Sequence, residues 1–324
     1  MSYPTLRLHP RKEESVLRFH PWIFSGAIAS FSVPVEDGDL VSVVDSKGRP
    51  LGTGHFGGGS IAVRLLSFDA EEVIDRAFYK RRLEAALRLR LSCDLVRPVG
   101  SSDSPNTTYR LVHGEGDSLP GLIIDIYDRT AVVQAHSLGM HQARQTIAEV
   151  LWEVFAEAGD PVLPLEGVYY KSETTLPTRD MRELASDGFL IGHTEAAPIY
   201  ENGVRFTPDW LKGQKTGFFI DQRDNRALVA HYAKGRTVLN AFCYTGGFSI
   251  YALHAGAKRV DSLDSSAKAM YLTEQHVALN FGVDCPRHHS VTEDAFDYLE
   301  RMPEGEYDLI ILDPPAFAKH RKVL

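Results

Sequence analysis

The pattern of apolar and polar positions predicts short strands over the first 70 residues. Two apolar runs flank Ser46-Lys47-Gly48 in LVSVVDSKGRPLGTG, and SIAVRLLSF adds a strand after the glycine-rich loop HFGGGS. No long helical period interrupts these strands. Residues 1–70 are therefore expected to form a small β-barrel.

A helical period follows in EEVIDRAFYKRRLEAALRLRL. Five apolar positions at helical spacing predict its buried face, namely Val73, Ala77, Leu83, Leu87 and Leu91. The opposite face is basic, and we expect it to be solvated, with contact to phosphate as the alternative.

Paired strands and an amphipathic helix make up the next segment. GLIIDIY and AVVQAHS predict strands that pair around Asp128-Arg129, and MHQARQTIAEVLWEVFAEAG predicts a helix ended by Gly159. GVYYKSE and FLIGHTE predict further strands. With the basic helix at its start, residues 71–198 are predicted to be an α+β domain.

Strands and helices alternate strictly after Gly235. TVLN, VDSLD, HHSV and YDLIILD predict strands, and FSIYALHAG, AKAMYLTEQHVALNFG and AFDYLERM predict the helices between them. Short connections in such a run predict a parallel, doubly wound sheet within residues 199–324. Ligands of these sheets bind at the carboxyl ends of the strands.

Composition excludes some classes of protein. A chain of 324 residues predicts two or three domains, and no apolar run approaches the roughly 20 residues of a membrane span. The first residues lack the apolar core of a signal peptide. The three cysteines lack C-x-x-C spacing and metal-ligand patterns. We therefore expect a cytoplasmic protein with no membrane partner and no metal.

The formal net charge of -8 is unevenly distributed. Residues 93–202 hold 7 Lys and Arg against 17 Asp and Glu, whereas residues 1–92 hold 13 against 11 and residues 203–236 hold 7 against 3. The acidity is concentrated in the middle of the chain. The flanks therefore remain free to meet a polyanion.

Polar residues follow the predicted strands of the last domain. The first strand runs into Asn240 and a turn that contains Gly246-Gly247, where backbone N–H groups can approach a ligand closely. Asp264 ends the second strand and is placed to accept hydrogen bonds from two ribose hydroxyls. Asp294 and the backbone of Ala295 follow the third and are placed against an adenine edge. This combination predicts an adenosine-bearing cofactor.

The turn does not match the G-x-G-x-x-G fingerprint that binds a dinucleotide pyrophosphate. Its first two glycines are adjacent, and bulky Phe242 and Tyr244 precede them. A cofactor without phosphate, such as S-adenosylmethionine, suits this turn better. A dehydrogenase is the alternative.

Two further motifs border this predicted site. LIILDPPAF places Asp313 at the end of a strand and before two prolines, near the reacting end of the cofactor, with Phe317 available to stack on a planar base. GQKTGFFIDQRDNR is dense in basic and aromatic groups. Three of its basic residues are candidates to hold phosphate: Lys215, Arg223 and Arg226. Phe218 and Phe219 are candidates to pack on adenine, and Asp221 is a candidate helix N-cap.

QKTGFFIDQR, NAFCYTGGFSIYA, DSLDSS and DPPAF, in this order, resemble the class I S-adenosylmethionine-dependent methyltransferases that make 5-methylcytosine in 23S ribosomal RNA, the RlmI type. HPWIFSGAI with GTGHFGGGSIAVRLLS resembles the PUA domain of that family, and YRLVHGEGDSLPGLIIDIYD resembles its middle domain. The resemblance covers the whole chain. It implies a PUA-like RNA-binding β-barrel over residues 1–70, an α+β middle domain over 71–198, and the first part of a Rossmann-like methyltransferase domain over 199–324.

The resemblance also implies the cofactor and its ligands. S-adenosylmethionine is expected to contact Lys215, Phe219, Arg223, Asn240, Tyr244, Thr245, Gly246, Asp264, Ser265, Asp294, Ala295 and Asp313. Asp313 is in addition the expected catalytic group beside the target base. The implied partner is 23S ribosomal RNA or a ribosomal subunit precursor, and a homodimer is a further expected partner arrangement.

Methylation of cytosine C5 needs a cysteine thiolate that adds to C6. In the resembled family this cysteine lies beyond the D-P-P turn, whereas the sequence ends at Leu324. We therefore expect a shortened chain, inactive by itself, with YDLIIL left as an exposed apolar edge. Cys243 is expected to be a bystander. A guanine or adenine nitrogen as target, or a non-catalytic RNA-binding role, are the alternatives.

Overall fold

The computed structural model describes residues 3–101, 103–177, 186–213 and 215–314. The chain forms two compact units. The first comprises Met1–Ala196 and Pro208–Phe218, and the second comprises Ala197–Thr207 and Phe219–Leu324. The domain limits at residues 70 and 198 stay predictions.

The first unit begins with a six-stranded sheet of order β2-β6-β5-β4-β1-β3. Its elements are β1 (Thr5–Leu8), α1 (Glu14–Leu17), β2 (Trp22–Phe24), β3 (Ile28–Phe31), β4 (Leu40–Val44), β5 (Pro50–Phe56) and β6 (Ile61–Ser67). The predicted hairpin around Lys47 is confirmed, because β4 and β5 pair antiparallel. Alternate positions such as Val41 and Val43 of β4 are fully buried, as a strand with one apolar face requires.

Helix α2 (Arg76–Ser92) follows this six-stranded sheet. It begins at Asp75, whose carboxylate accepts the Phe78 N–H at 2.9 Å. Leu83 and Leu87 are buried as predicted. The prediction was wrong for the two positions around the helix start, Val73 and Ala77, which are exposed. The first turn buries Phe78 and Tyr79 instead.

The basic face of α2 binds partners within the protein. Arg76 forms ion pairs with Glu149 and Glu153, and Lys80 pairs with Glu153 and Glu157. All three glutamates lie on one helix, α4 (Arg144–Ala158). This part of the face therefore stabilises helix packing and does not favour phosphate binding.

A five-stranded sheet of order β11-β10-β9-β8-β7 completes the first unit. Its elements are β7 (Thr108–His113), β8 (Leu122–Tyr127), β9 (Thr130–Ala135), α3 (Leu138–Gln142), α4, β10 (Gly167–Tyr170) and β11 (Gly188–Gly192). The predicted β8–β9 pair is confirmed. The helix predicted after it ends at Gly159, with φ 65°, but is divided into α3 and α4 at Ala143.

The second unit contains the predicted parallel sheet. Its elements are β12 (Ile199–Glu201), β13 (Val204–Phe206), α5 (Arg223–Ala233), β14 (Thr237–Ala241), α6 (Gly247–His254), β15 (Arg259–Asp264), α7 (Ala267–Phe281), β16 (His288–Thr292), α8 (Ala295–Arg301) and β17 (Leu309–Leu312). Strands β16-β15-β14-β17 lie in this order, and every pair is parallel. The order places β14, in the centre, beside both β15 and β17.

Strand β17 is the edge of this sheet within the described residues, and its side chains Ile310 and Leu312 are 39% and 56% exposed. This agrees with the expected exposed apolar edge. In the described part of the chain, none of the helices is long and apolar enough to cross a membrane. Over the same residues, no cluster of three or more His, Cys, Asp or Glu side chains could hold a metal ion.

Candidate functional site

The loop between β14 and α6 has an unusual backbone. Phe242, Tyr244 and Gly246 have φ values of 57°, 50° and 76°, in the left-handed region that glycine adopts freely but that is strained for phenylalanine and tyrosine. The Gly246 N–H donates to the Cys243 carbonyl at 2.9 Å and closes the turn. A Cβ at Gly246 would lie 2.5 Å from Thr273 Cγ2, so this close approach requires glycine. We call residues 242–247 the glycine loop.

Asp264 joins the end of β15 to this loop. Its Oδ2 accepts the Tyr244 N–H and its Oδ1 accepts the Ser266 N–H, both at 2.9 Å. Each carboxylate oxygen has a second lone pair, and the half-buried side chain retains solvent access. Asp264 is therefore both a structural anchor of the loop and an acceptor for further donors. Its neighbour Ser265 is exposed.

Asp294 caps α8 beside Asp264. Its Oδ1 accepts the N–H groups of Phe296 at 2.8 Å and Asp297 at 3.3 Å. The preceding Glu293 N–H donates to the Asp264 carbonyl at 3.2 Å, which holds the two strand ends together. The Ala295 side chain is buried in an apolar cluster with Leu239, Ala241 and Leu263, so only its backbone remains a candidate for ligand contact.

The segment before α5 contributes aromatic and basic groups. The Phe219 ring contacts the Tyr244 ring edge to face, with centroids 5.4 Å apart. Arg223 is mostly buried, and its Nη1 has no hydrogen-bond partner among the described residues. The predicted phosphate-holding role of Arg226 was wrong, because Arg226 is buried and bidentate to Glu201 at 2.6 and 2.7 Å.

Other predictions for this segment have different outcomes. Asp221 is not an N-cap, because a 3-10 turn (Ile220–Gln222) precedes α5 and places Gln222 at the cap without a side-chain bond. Phe218 is buried in the first unit, where its carbonyl lies 3.4 Å from the Tyr127 hydroxyl. Lys215 is an exposed residue of the same unit, with φ 49°, and its contact with cofactor stays a prediction.

Asn240 lies under the loop in a buried chain of polar groups that the sequence did not predict. Its Nδ2 donates to Ser249 Oγ at 2.9 Å, and Ser249 Oγ lies 2.7 Å from Ser262 Oγ. The last member of this series of polar groups is His288, whose Nε2 lies 2.8 Å from Ser262 Oγ. Burial lowers the pKa of His288 to about 4, so this ring is neutral near pH 7. Asn240 Oδ1 is buried without a partner in the described part of the chain.

Asp313 follows β17 directly and is exposed. Because Ala241 pairs with Leu312 in parallel register, the end of β17 lies beside the start of the glycine loop. The structure thus brings four predicted site residues together at the carboxyl ends of the parallel strands: Asn240, Asp264, Asp294 and Asp313. Phe317, predicted to stack on a base, lies outside the described residues.

Cys243 is a poor candidate for a nucleophile. Its side chain is 6% exposed, and its Sγ lies 3.5 Å from Met270 Sδ. Burial, followed by the negative charge of Asp264, raises the pKa of Cys243 to about 12. The thiol is therefore protonated at neutral pH, whereas attack requires the thiolate.

The donors and acceptors at this edge fit an adenosine cofactor without phosphate groups. Carboxylates at the ends of β15 and β16 accept hydroxyl and amino donors but repel phosphate. The first N–H groups of α6 have no acceptor within the helix and suit an anionic group such as a carboxylate. S-adenosylmethionine has both kinds of group.

Comparison with known proteins agrees with this fit. Residues 6–68 match the model of a PUA-like domain, and residues 178–324 match that of an S-adenosylmethionine-dependent methyltransferase. A solved protein of Streptococcus mutans described as a SAM-dependent methyltransferase is 25% identical, with a TM-score of 0.78 over 97% of this chain and 77% of its own. A solved methyltransferase complexed with SAH is also 25% identical, with a TM-score of 0.79 over 100% and 79%.

The curated relatives are more similar in sequence. Ribosomal RNA large subunit methyltransferase I of Alteromonas mediterranea is 38% identical over 98% of this chain and 77% of its own length. The protein of the same name from Shewanella denitrificans is 39% identical over 98% and 78%. The predicted fold class and cofactor are thereby confirmed. The chain belongs to the ribosomal RNA large subunit methyltransferase I family of S-adenosylmethionine-dependent methyltransferases.

Proposed function

We propose that this protein methylates C5 of a cytosine in 23S ribosomal RNA, with S-adenosylmethionine as methyl donor. The observation that carries the proposal is the hydrogen bonding at the carboxyl ends of the strands, where Asp264 accepts the Tyr244 N–H of the glycine loop and its carbonyl accepts the N–H of Glu293, the residue before Asp294. The names of the relatives support a large-subunit ribosomal RNA as substrate. The resemblance of the D-P-P-A-F segment supports cytosine carbon as target.

The cofactor would supply an electrophilic methyl group on sulfur. We assign its methionine portion to the glycine loop, through Tyr244, Thr245 and Gly246, with Asn240 beneath them. The remaining free lone pairs of Asp264 would accept the ribose hydroxyls, with Ser265 beside them. Asp294 and the Ala295 backbone would contact adenine. Lys215, Phe219 and Arg223 complete the proposed cofactor set.

The target base needs activation, because C5 of cytosine is a weak nucleophile. A thiolate adds to C6, and C5 then takes the methyl group from the sulfonium. A base removes the C5 proton, and the thiolate leaves from C6. The buried, protonated Cys243 does not meet the first requirement, so we assign this step to a cysteine beyond the D-P-P turn, where the family resemblance implies it. Asp313 is proposed to lie beside the target base.

The PUA-like domain is proposed to hold RNA through its phosphates, with the base entering the pocket unpaired or flipped out. Free 23S RNA and a ribosomal subunit precursor are both compatible with this role. A cytoplasmic location follows if ribosomal RNA is the substrate. The homodimer stays a prediction, which sedimentation equilibrium of the purified protein would test.

Nucleoside mass spectrometry of ribosomal RNA tests the target atom. Deleting the gene from its source organism should remove one 5-methylcytidine from 23S RNA. The natural gene should restore it, whereas the Asp264→Ala variant should not. Loss of a methylated guanosine or adenosine would favour nitrogen chemistry, and an unchanged nucleoside profile would favour a non-catalytic RNA-binding role.

Calorimetric titration tests the cofactor site separately. Purified protein should bind S-adenosylmethionine, and Asp264→Asn should weaken binding by about tenfold or more through loss of a charged acceptor. A matched substitution is Asp308→Asn in the same unit, because the Asp308 carboxylate accepts the Thr237 N–H at the opposite, amino-terminal end of β14. Equal loss in both variants would contradict the assignment.

A further inference from the structure

Two buried side chains of α7 bind carbonyl groups of the glycine loop. Thr273 Oγ1 lies 3.1 Å from the Tyr244 carbonyl oxygen and also 3.1 Å from the Ala269 carbonyl oxygen of its own helix, so its one proton is shared between them. His276 Nδ1 lies 2.8 Å from the Thr245 carbonyl oxygen. Thr273 is fully buried and His276 is 2% exposed. They lie three residues apart, so they project from the same face of the helix. Two successive peptide groups of the loop are thus bonded to one helix.

The contacts of His276 determine which ring nitrogen carries the proton. A carbonyl oxygen only accepts, so the 2.8 Å contact with Thr245 requires a proton on Nδ1. Nε2 is then the acceptor for the Thr207 N–H at 3.1 Å, and the Thr207 carbonyl, at 3.3 Å, is not bonded. Burial lowers the pKa of His276, which agrees with this neutral ring. One side chain therefore links the loop to the residue after β13.

The orientation of these peptides matters for ligand binding. A carbonyl group that is bonded to α7 cannot turn toward the opposite side of the loop, where its oxygen would repel a carboxylate. The 2.9 Å bond of the Tyr244 N–H to Asp264 fixes the preceding peptide, and the left-handed φ of Tyr244 sets the turn between that peptide and the one whose carbonyl group contacts Thr273. The close packing of Gly246 on Thr273 keeps the helix near enough for both bonds.

We propose that Thr273 and His276 are positioning residues of the cofactor site, which hold the carbonyl groups of the glycine loop away from the bound methionine portion. This inference rests on the proposed cofactor role of the loop. Its effect is expected on cofactor affinity, because both side chains are buried behind the loop and act through its backbone. A purely structural role would instead lower stability and leave the affinity of folded protein unchanged.

Paired substitutions separate the two bonds of His276. In His276→Asn the amide lies near the former Nδ1 and retains the donor to Thr245, whereas in His276→Gln it lies near the former Nε2 and retains the acceptor for Thr207. Thr273→Val removes the hydroxyl at nearly constant shape, and Thr273→Ser keeps it. Asn280→Ala is the matched control, since Asn280 lies one turn further along α7 and bonds the Arg205 backbone at 2.8 and 3.0 Å without contacting the loop.

Calorimetric titration with S-adenosylmethionine measures the effect on the purified, folded variants. We expect His276→Gln and Thr273→Val to bind about tenfold more weakly, the change that one lost hydrogen bond produces. His276→Asn, Thr273→Ser and Asn280→Ala should remain within about twofold of the natural protein. Equal loss in His276→Asn and His276→Gln would overturn the proposal, as would unchanged affinity in His276→Gln and Thr273→Val.

The binding results for the natural protein and for the variants show whether the proposed function or only this inference fails. If the natural protein binds no S-adenosylmethionine, the proposed function fails, and this inference fails with it. If it binds and only the variants behave otherwise than expected, the inference alone fails. Hydrogen exchange of residues 242–250 without cofactor gives a second test, because His276→Gln and Thr273→Val should exchange faster there than Asn280→Ala. Equal exchange rates of these amides in all three variants would contradict the proposal that Thr273 and His276 hold the glycine loop.

Discussion

Replacing Cys243 by alanine tests whether the thiol inside the glycine loop takes part in methyl transfer. Burial is the main reason that the Cys243 pKa is raised to about 12. At pH 8 about one thiol in ten thousand would then be ionised, against about one in four for an ordinary cysteine with a pKa of about 8.5. Its reaction rate should be lower by a factor on the order of a thousand.

Complementation of the gene deletion measures the consequence for activity. We expect Cys243→Ala to restore the 23S RNA modification to near its natural level, since removing a protonated thiol removes no reacting group. Alkylation by iodoacetamide at pH 8, followed by peptide mass spectrometry, measures the thiol directly. The exposed Cys93 is the internal reference and should react first, whereas Cys243 should react only after unfolding in urea.

Two results would refute this reasoning. One is complete loss of the RNA modification in Cys243→Ala while affinity for S-adenosylmethionine is retained. The other is alkylation of Cys243 as fast as that of Cys93 in the folded protein, with protection by cofactor. Either would show that the loop opens to expose a thiolate, and that Cys243 is the attacking group.

Three further substitutions test the energetic cost of the loop glycine, of the buried Glu201–Arg226 ion pair and of the buried His55. Gly246→Ala should destabilise the second unit by about 2 to 4 kcal/mol in urea unfolding, because it adds left-handed strain to the contact with Thr273. Glu201→Gln should cost about 3 to 5 kcal/mol in the same assay, because it leaves the buried Arg226 guanidinium without its partner charge. Burial lowers the His55 pKa from 6.5 to about 4, so the unfolded chain takes up a proton first. His55 should therefore lower the stability of the first unit by up to about 3 kcal/mol between pH 6.5 and 4, and His55→Gln should remove that contribution.

Each of these substitutions has a matched control. Gly256 has φ 88° with no neighbour for a Cβ, so Gly256→Ala should cost only the strain of about 1 kcal/mol. Arg301→Gln breaks a largely exposed ion pair with Glu293 and should cost less than about 1 kcal/mol. His113→Gln, at an exposed histidine of the same unit, is the control for His55→Gln. Losses in these controls as large as in the test variants would contradict the assigned causes.

The elements that the sequence predicted correctly depend on local chemistry. Gly159 ends α4 because its positive φ is open to glycine, and the β8–β9 hairpin turns at Asp128, a residue type that tolerates φ 55°. The alternation after Gly235 predicted the parallel sheet, because two parallel neighbouring strands need a crossover connection, usually a helix, between them. These signals lie within a few residues of the structures they specify.

The predictions about basic residues depend on partners distant in sequence. Arg226 was a candidate phosphate ligand because basic residues surround it, but it binds Glu201, 25 positions earlier. Likewise, Arg76 and Lys80 bind glutamates more than 70 positions away. Whether a basic residue remains available for phosphate therefore depends on whether folding brings an acidic residue next to it. Counting charges along the chain does not show this.

The series of polar groups beneath the glycine loop depends on the pairing register of the strands, which the sequence pattern does not give. Asn240 and Ser262 are buried polar residues of β14 and β15, and the parallel pairing of these strands places them directly opposite each other. The Asn240 Nδ2 donates to Ser249 Oγ, which lies 2.7 Å from Ser262 Oγ, and Ser262 Oγ lies 2.8 Å from His288 Nε2. The bond to Ser249 holds the nitrogen of the Asn240 amide on the Ser249 side. Polar residues at these strand positions therefore orient the amide beneath the loop, a role that periodicity alone could not assign.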